Sequence, residues 1–161
     1  MLTIRPATPA DHDALWAILE PTIRAGETYT LAPDLPRAQS LAYWFAPTNQ
    51  PFVAEQEGQI LGTYFLRTNQ QGNGSHVANC GYITHPQSTS RGIARAMCAH
   101  SLDLAKAQGY RAMQFNFVVS TNHRAVRLWQ SLGFEIVGRL PAAFHHPTAG
   151  FIEALVMYRS L

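Results

Sequence analysis

GYITHPQSTSRGIARAMCAHSLDLAKAQG, residues 81–109, changes its period partway along. It begins as the end of a strand, HVANCGYIT (76–84), and passes through a polar turn, HPQSTSRG (85–92). From there Ile93, Met97, Cys98, Ser101, Leu102 and Ala105 follow helical spacing, and Gly109 supplies the left-handed position at the helix end. A strand that runs through a glycine-containing turn into a helix gathers free backbone N–H groups and the positive helix end at one point, where a phosphate can bind. Here that point is Ser88 to Ala94: Gly92 removes a side chain so that an anion can approach, and Arg91 can add charge-assisted contacts.

Working outward, RAMQFNFVV (111–119) reads as a strand and STNHRAVRLWQSLGF (120–134) as a helix with Ala125, Leu128, Trp129 and Leu132 on one face. The strand FEIVGRL (134–140), a loop containing Pro and His, and the strand FIEALVMY (151–158) follow. Upstream, LTIRPA (2–7) opens the chain as a strand. Thr8, Pro9 and Asp11 start a helix whose stripe is Ala14, Leu15, Ile18 and Leu19 and which Pro21 should end. Residues 22–33 read as a loop and about 34–45 as a second helix. PFVAEQ (51–56) and QILGTYFLRT (59–68) flank a polar Glu-Gly turn, a hairpin signal, and NQQGNGS (69–75) leads back to the opening stretch. The order is strand, two helices, three strands, helix, strand, helix, two strands. It predicts a mixed α/β sheet in one domain over residues 1–161.

Twelve Lys and Arg against ten Asp and Glu leave a net charge of +2, spread along the chain, which argues against nucleic acid as a partner. No apolar run is long enough for a membrane helix, and the N-terminal stretch does not resemble a signal peptide, so a cytoplasmic protein is expected. Cys80 and Cys98 read as reduced, buried thiols, and the adjacent His145 and His146 lack metal-ligand spacing.

The element order, the strand GYITHP before the phosphate turn and the pattern N-x-x-A-x-x-L-W-x-x-L-G-F after it resemble the GCN5-related N-acetyltransferase (GNAT) family over nearly the whole chain. The resemblance implies a mostly antiparallel sheet of six to seven strands with a splayed central pair and about four helices. It also implies acetyl-CoA as co-substrate and is compatible with a homodimer. The family's phosphate loop reads Gln or Arg, two residues, Gly, one residue, Gly or Ala, matching Thr89, Gly92 and Ala94, with Thr89 a departure. Most of the binding falls to backbone amides across Thr89, Ser90, Arg91, Gly92, Ile93 and Ala94. By the same likeness, Tyr82, Ile83 and Thr84 offer N–H and C=O groups to pantetheine as an added strand would.

Two of the family's functional residues are missing. The last long helix often carries a Tyr that protonates the departing thiolate; here the position holds Trp129, whose indole is no practical acid, which reads first as a core aromatic with Ala125 and Leu132 and whose functional role would be a wall beside the thiol. Phosphinothricin-type members carry a Glu base on the central strand where this chain has Asn79, which takes no proton at neutral pH. Asn79, Asn116 and Asn122 together resemble the three-asparagine arrangement of the yeast azetidine-2-carboxylate N-acetyltransferases, which acetylate proline analogues. That likeness implies a small amine or imino acid as acceptor, positioned by Asn79 and Asn116, with Asn122 both a helix cap and a contact to the donor.

By alternation Asn116 shares a face with Gln114 and Val118, opposite Phe115 and Phe117. Glu27 and Tyr29, between the first two helices, are candidates for the acceptor pocket, with Glu27 a candidate base. His85, His145 and His146 could each titrate near neutrality, and the loop bearing the last two could line that pocket. Acetylation of a protein or peptide, and a non-catalytic acyl-CoA-binding module, stay open as alternatives.

Overall fold

In chain order the computed structural model, which describes residues 1–161, runs β1 (Thr3–Pro6), α1 (His12–Ala25), α2 (Arg37–Trp44), β2 (Gln50–Gln56), β3 (Gln59–Thr68), β4 (Val77–Thr84), α3 (Ile93–Ala107), β5 (Ala112–Val119), α4 (His123–Ser131), β6 (Glu135–His146) and β7 (Gly150–Ser160). One sheet of order β1-β2-β3-β4-β5-β7-β6 holds all the strands. Every neighbouring pair is antiparallel except β4 with β5.

Each face of the sheet carries its own core. Tyr64 and Leu66 of β3, Cys80 of β4 and Met113, Phe115 and Val118 of β5 pack with Met97, Cys98 and Leu102 of α3 and Trp129 of α4. On the opposite face Val53, Phe65 and Ile83 pack with Leu15, Ile18, Leu19 and Ile23 of α1 and Leu41 and Trp44 of α2. This second cluster takes no residue from β5, which leaves that strand's outer face free for polar side chains.

α1 passes through Pro21 and ends only at Gly26, which has φ +63°. The proline frees the carbonyl of Ala17, an exposed residue, while Ile23 is buried and draws the last turn into the core, so water can take the freed group and packing keeps the helix going. The first turn is tightened to a 3-10 segment, Pro9–Asp11. Asp11 accepts from Thr8 N–H at 2.7 Å and receives two bonds from the Arg5 guanidinium, each 2.9 Å, which hold its carboxyl down to about 2. The second helix covers only residues 37–44 of the expected span.

The chain after Leu140 differs more. Instead of a loop, β6 extends to His146, pairing His145 with Phe151 and His146 with Gly150. The register shifts between Leu140 and Phe144. Pro141 is tolerated there because β6 is an edge strand, and Ala142 turns left-handed at φ +50°.

Candidate active site

β4 and β5 pair only at Val77 with Ala112 and at Ala78 with Met113, then separate. Two hydrogen bonds give the phase of β4: Asn69 N–H donates to Val77 O and His85 N–H to Leu61 O, both at 2.8 Å. Antiparallel bonding alternates, so odd positions of β4 are satisfied by β3, while Cys80, Tyr82 and Thr84 turn their N–H and C=O groups to the gap. The expected open edge therefore consists of Tyr82 and Thr84. Ile83 is the correction, because its peptide groups face β3 and its side chain is buried against α1 and α2.

A cavity of about 820 Å³ occupies the gap and is lined from both faces of the sheet. At its α3–α4 end stand Thr89, Ser90, Gly92, Ile93 and Ala94. Gly92 caps α3 at φ +78° and Ser90 adopts φ +67°, and these two left-handed residues bend the loop around the helix start. A Cβ on Gly92 would meet nothing within 4 Å, so the space before these amides is open. Arg124 donates to Ser90 Oγ at 2.8 Å and Arg95 to Ser131 Oγ at 2.8 Å, tying the loop and α3 to α4. Together with Arg127 they make this end positive. Arg91, by contrast, is exposed and does not line the cavity.

Asn122 caps α4, its Oδ1 accepting from Ala125 N–H at 3.3 Å, and lines the same cavity. Trp129 is the one fully packed residue of that helix, with ring centroids 5.0 Å from Tyr82 and 5.2 Å from Phe115. It forms a wall of the gap, as its core character suggested.

At the α1–α2 end the lining is built from side chains. Asn79 Nδ2 donates to Gln114 O at 2.9 Å, Gln114 Nε2 to Asn116 Oδ1 at 2.9 Å, and Asn116 Nδ2 to Asn69 Oδ1 at 2.6 Å. Arg67 Nε completes the chain by donating to Asn79 Oδ1 at 3.1 Å. The structure thus brings Asn79, Asn116 and Asn122 to one cavity, linking the first two through Gln114. Gln114 and Asn116 do share a face, but a bulge between Phe115 and Val118 puts those two hydrophobic residues together in the α3–α4 core, which corrects the simple alternation.

Tyr29 reaches across this end and donates to Tyr82 O at 3.1 Å, occupying a carbonyl of the open edge. Burial pushes its phenol well up, so it stays protonated. Gly81 permits the approach, since a Cβ there would lie 2.8 Å from the Phe65 ring and 3.0 Å from the Tyr29 hydroxyl. Glu27 is exposed and outside the lining. The three histidines are also outside the lining: the Nδ1 of His85 caps a turn by accepting from Gln87 N–H, that of His146 accepts from Thr148 and Ala149 N–H, and His145 stacks on Phe151. The expectation that the Pro- and His-containing segment lines the pocket fails because that segment is the tip of the β6–β7 hairpin.

Sequence reasoning missed Arg67, Asn69 and Gln114 as members of the polar chain. Arg67 had a signal, a charge in an apolar strand at even spacing from Phe65. Asn69 had none, lying in a polar loop.

A family model for the acetyltransferase (GNAT) family matches residues 13–134. The chain belongs to the GNAT family of acetyltransferases. A solved GCN5-related N-acetyltransferase from Kribbella flavida is 40% identical, covers 99% of this chain and 98% of its own, and superposes with a TM-score of 0.94. The N-acetyltransferase aca1 of Schizosaccharomyces pombe is 26% identical over 132 residues, 72% of this chain, which spans only 63% of that relative. A phosphinothricin acetyltransferase from Sinorhizobium meliloti, solved in complex with acetyl-CoA, shares the fold at 19% identity and a TM-score of 0.86 over 99% of this chain and 88% of its own. In the GNAT architecture acetyl-CoA is the co-substrate, and the features of the α3–α4 end fit it: an open edge, a helix start with free amides and no acid in the lining. No helix is long and apolar enough to cross a membrane, and no group of three or more His, Cys, Asp or Glu could hold a metal ion.

Proposed function

We propose that this GNAT enzyme transfers acetyl from acetyl-CoA to the amino or imino group of a small amino-acid-like acceptor, entering from the α1–α2 end of the cavity. The observation that carries the reading is the linked set Asn79, Gln114 and Asn116, side-chain and backbone amide groups assembled where the two central strands part. Amides supply both donors and acceptors, which suits an acceptor bearing a nitrogen and a carboxylate. The lining contains no Asp or Glu, which disfavours cationic peptides.

Bound acetyl-CoA supplies the acetyl group as a thioester. Backbone amides of Ser90 to Ala94, with Arg124, would hold its pyrophosphate, and the open edge at Tyr82 N–H and Thr84 its pantetheine. Asn79 and Asn116 orient the acceptor nitrogen. Because no Asp, Glu or His lines the cavity, the acceptor reacts as the free amine and its proton leaves to water. Tyr29, kept neutral by burial, would assist the departing sulfur in place of the Tyr that Trp129 replaces, by turning its hydroxyl from Tyr82 O. Burial pushes the Cys80 thiol up to about 12, so this lining residue offers no thiolate to carry acetyl, and transfer is direct.

The test is thiol release from acetyl-CoA with amino acids, imino acids, simple amines and lysine peptides, run across pH. The expected result is turnover confined to amino or imino acids, with a limb of kcat/KM that moves with each acceptor's own amine pKa. Turnover with peptides alone, or a limb fixed at one pH for all acceptors, would overturn the assignment.

A further inference from the structure

We propose that Arg67 is the specificity residue of the acceptor site and binds a free carboxylate on the acceptor. This rests on the reading of the α1–α2 end as the acceptor's entrance. Arg67 lies two residues after Phe65 on β3, so both side chains leave the same face of the sheet. Its guanidinium carbon sits 5.3 Å from the Phe65 ring centroid, and Phe65 is itself wedged against Trp44 and Tyr43 with centroids at 4.8 and 6.1 Å. Nε is committed to Asn79 Oδ1. The guanidinium is thus held by the aromatic ring against it and by one hydrogen bond from its own plane.

Neither terminal nitrogen of Arg67 makes a hydrogen bond or an ion pair with the protein, although the residue is half-buried in the cavity wall. Arg91, Arg111 and Arg127 also lack a side-chain partner, but they are exposed to water. Arg5, Arg24, Arg37 and Arg139 each have a carboxylate partner. Arg95 and Arg124 are bonded to serines at the opposite, donor end. Arg67 is the one cation at the acceptor end, in a cavity without a single anion.

A partly desolvated charge without a partner is unfavourable, and a ligand anion reverses that cost. Two free N–H-bearing nitrogens of a fixed planar fork match the two oxygens of a carboxylate, which a lone ammonium would not do as selectively. The acceptor class is therefore narrowed to amines that keep a free carboxylate. Carboxamides and decarboxylated amines lack the anion and leave the guanidinium uncompensated.

The experiment measures kcat/KM at saturating acetyl-CoA for the best amino or imino acid and for its carboxamide, in the wild-type chain, Arg67→Met and Arg67→Lys, with acetyl-CoA affinity as a check on folding. The wild type should prefer the acid by roughly 100-fold, chiefly through KM, and Arg67→Met should lose most of that preference by failing on the acid while handling the carboxamide within about threefold of wild type. Arg67→Lys should fall between the two, with acetyl-CoA affinity unchanged in both variants. Equal use of acid and carboxamide by the wild type, or an Arg67→Met variant that loses both equally, would overturn the carboxylate role while leaving amino-acid acetylation intact. A wild type that acetylates peptides alone overturns the function proposed above and this role with it.

Discussion

The two ends of the cavity are built from different materials. The α3–α4 end is made of backbone: the open edge of β4, the loop with left-handed Ser90 and Gly92, and the first amides of α3. The α1–α2 end is made of side chains: Arg67, Asn79 and Asn116, linked by hydrogen bonds through Gln114, and Tyr29, which is bonded to Tyr82 O. A backbone-built site tolerates sequence change so long as its turn survives, which is why Thr89 can stand where the family pattern has Gln or Arg. A side-chain-built site changes specificity with each substitution. The donor is thus common to the GNAT family, whereas the proposed acceptor depends on these side chains.

Substitutions that strike one end alone sharpen this contrast. The largest effect belongs to Gly92→Glu, which places a residue with a Cβ at φ +78° and a negative charge in the open space before the α3 amides. Acetyl-CoA affinity measured by calorimetry should fall by at least about 100-fold. Normal binding would misplace the donor end. A smaller effect is expected of Tyr29→Phe, which removes the hydroxyl from Tyr82 O while keeping the ring. It should lower kcat about five- to tenfold and leave acetyl-CoA affinity unchanged or slightly tighter, since a carbonyl of the edge is freed. An unchanged kcat would remove Tyr29 from the reaction.

The same contrast accounts for what could be read in the sequence. The period change at residues 85–92 disclosed the strand, turn and helix of the donor end, because left-handed glycines and apolar spacing are local properties. α1 continued past Pro21 since its last turn is held by Ile23 in a core that no local rule reports. The β6–β7 hairpin hid behind Pro141 and two histidines, residues that look like a loop but sit in an edge strand. At the acceptor end Asn79 and Asn116 stood out as polar residues in apolar runs. Their partners did not, because the link from Asn116 to Asn69 spans 47 residues and depends on how far β4 and β5 part. Ile83 illustrates the finer limit: which peptides of β4 face the gap follows from its register with β3, and the residue types say nothing about that.

The separation of the two ends is tested most directly by Asn116→Ala, with acetyl-CoA affinity and acceptor kcat/KM measured on the same preparation. The variant leaves Asn69 and Gln114 without their side-chain partner, a loss of about 1–3 kcal/mol at the acceptor end only. The predicted result is at least a roughly tenfold fall in kcat/KM for the acceptor, with acetyl-CoA affinity within about twofold of wild type. Unchanged turnover, or donor affinity and turnover falling together, would contradict it.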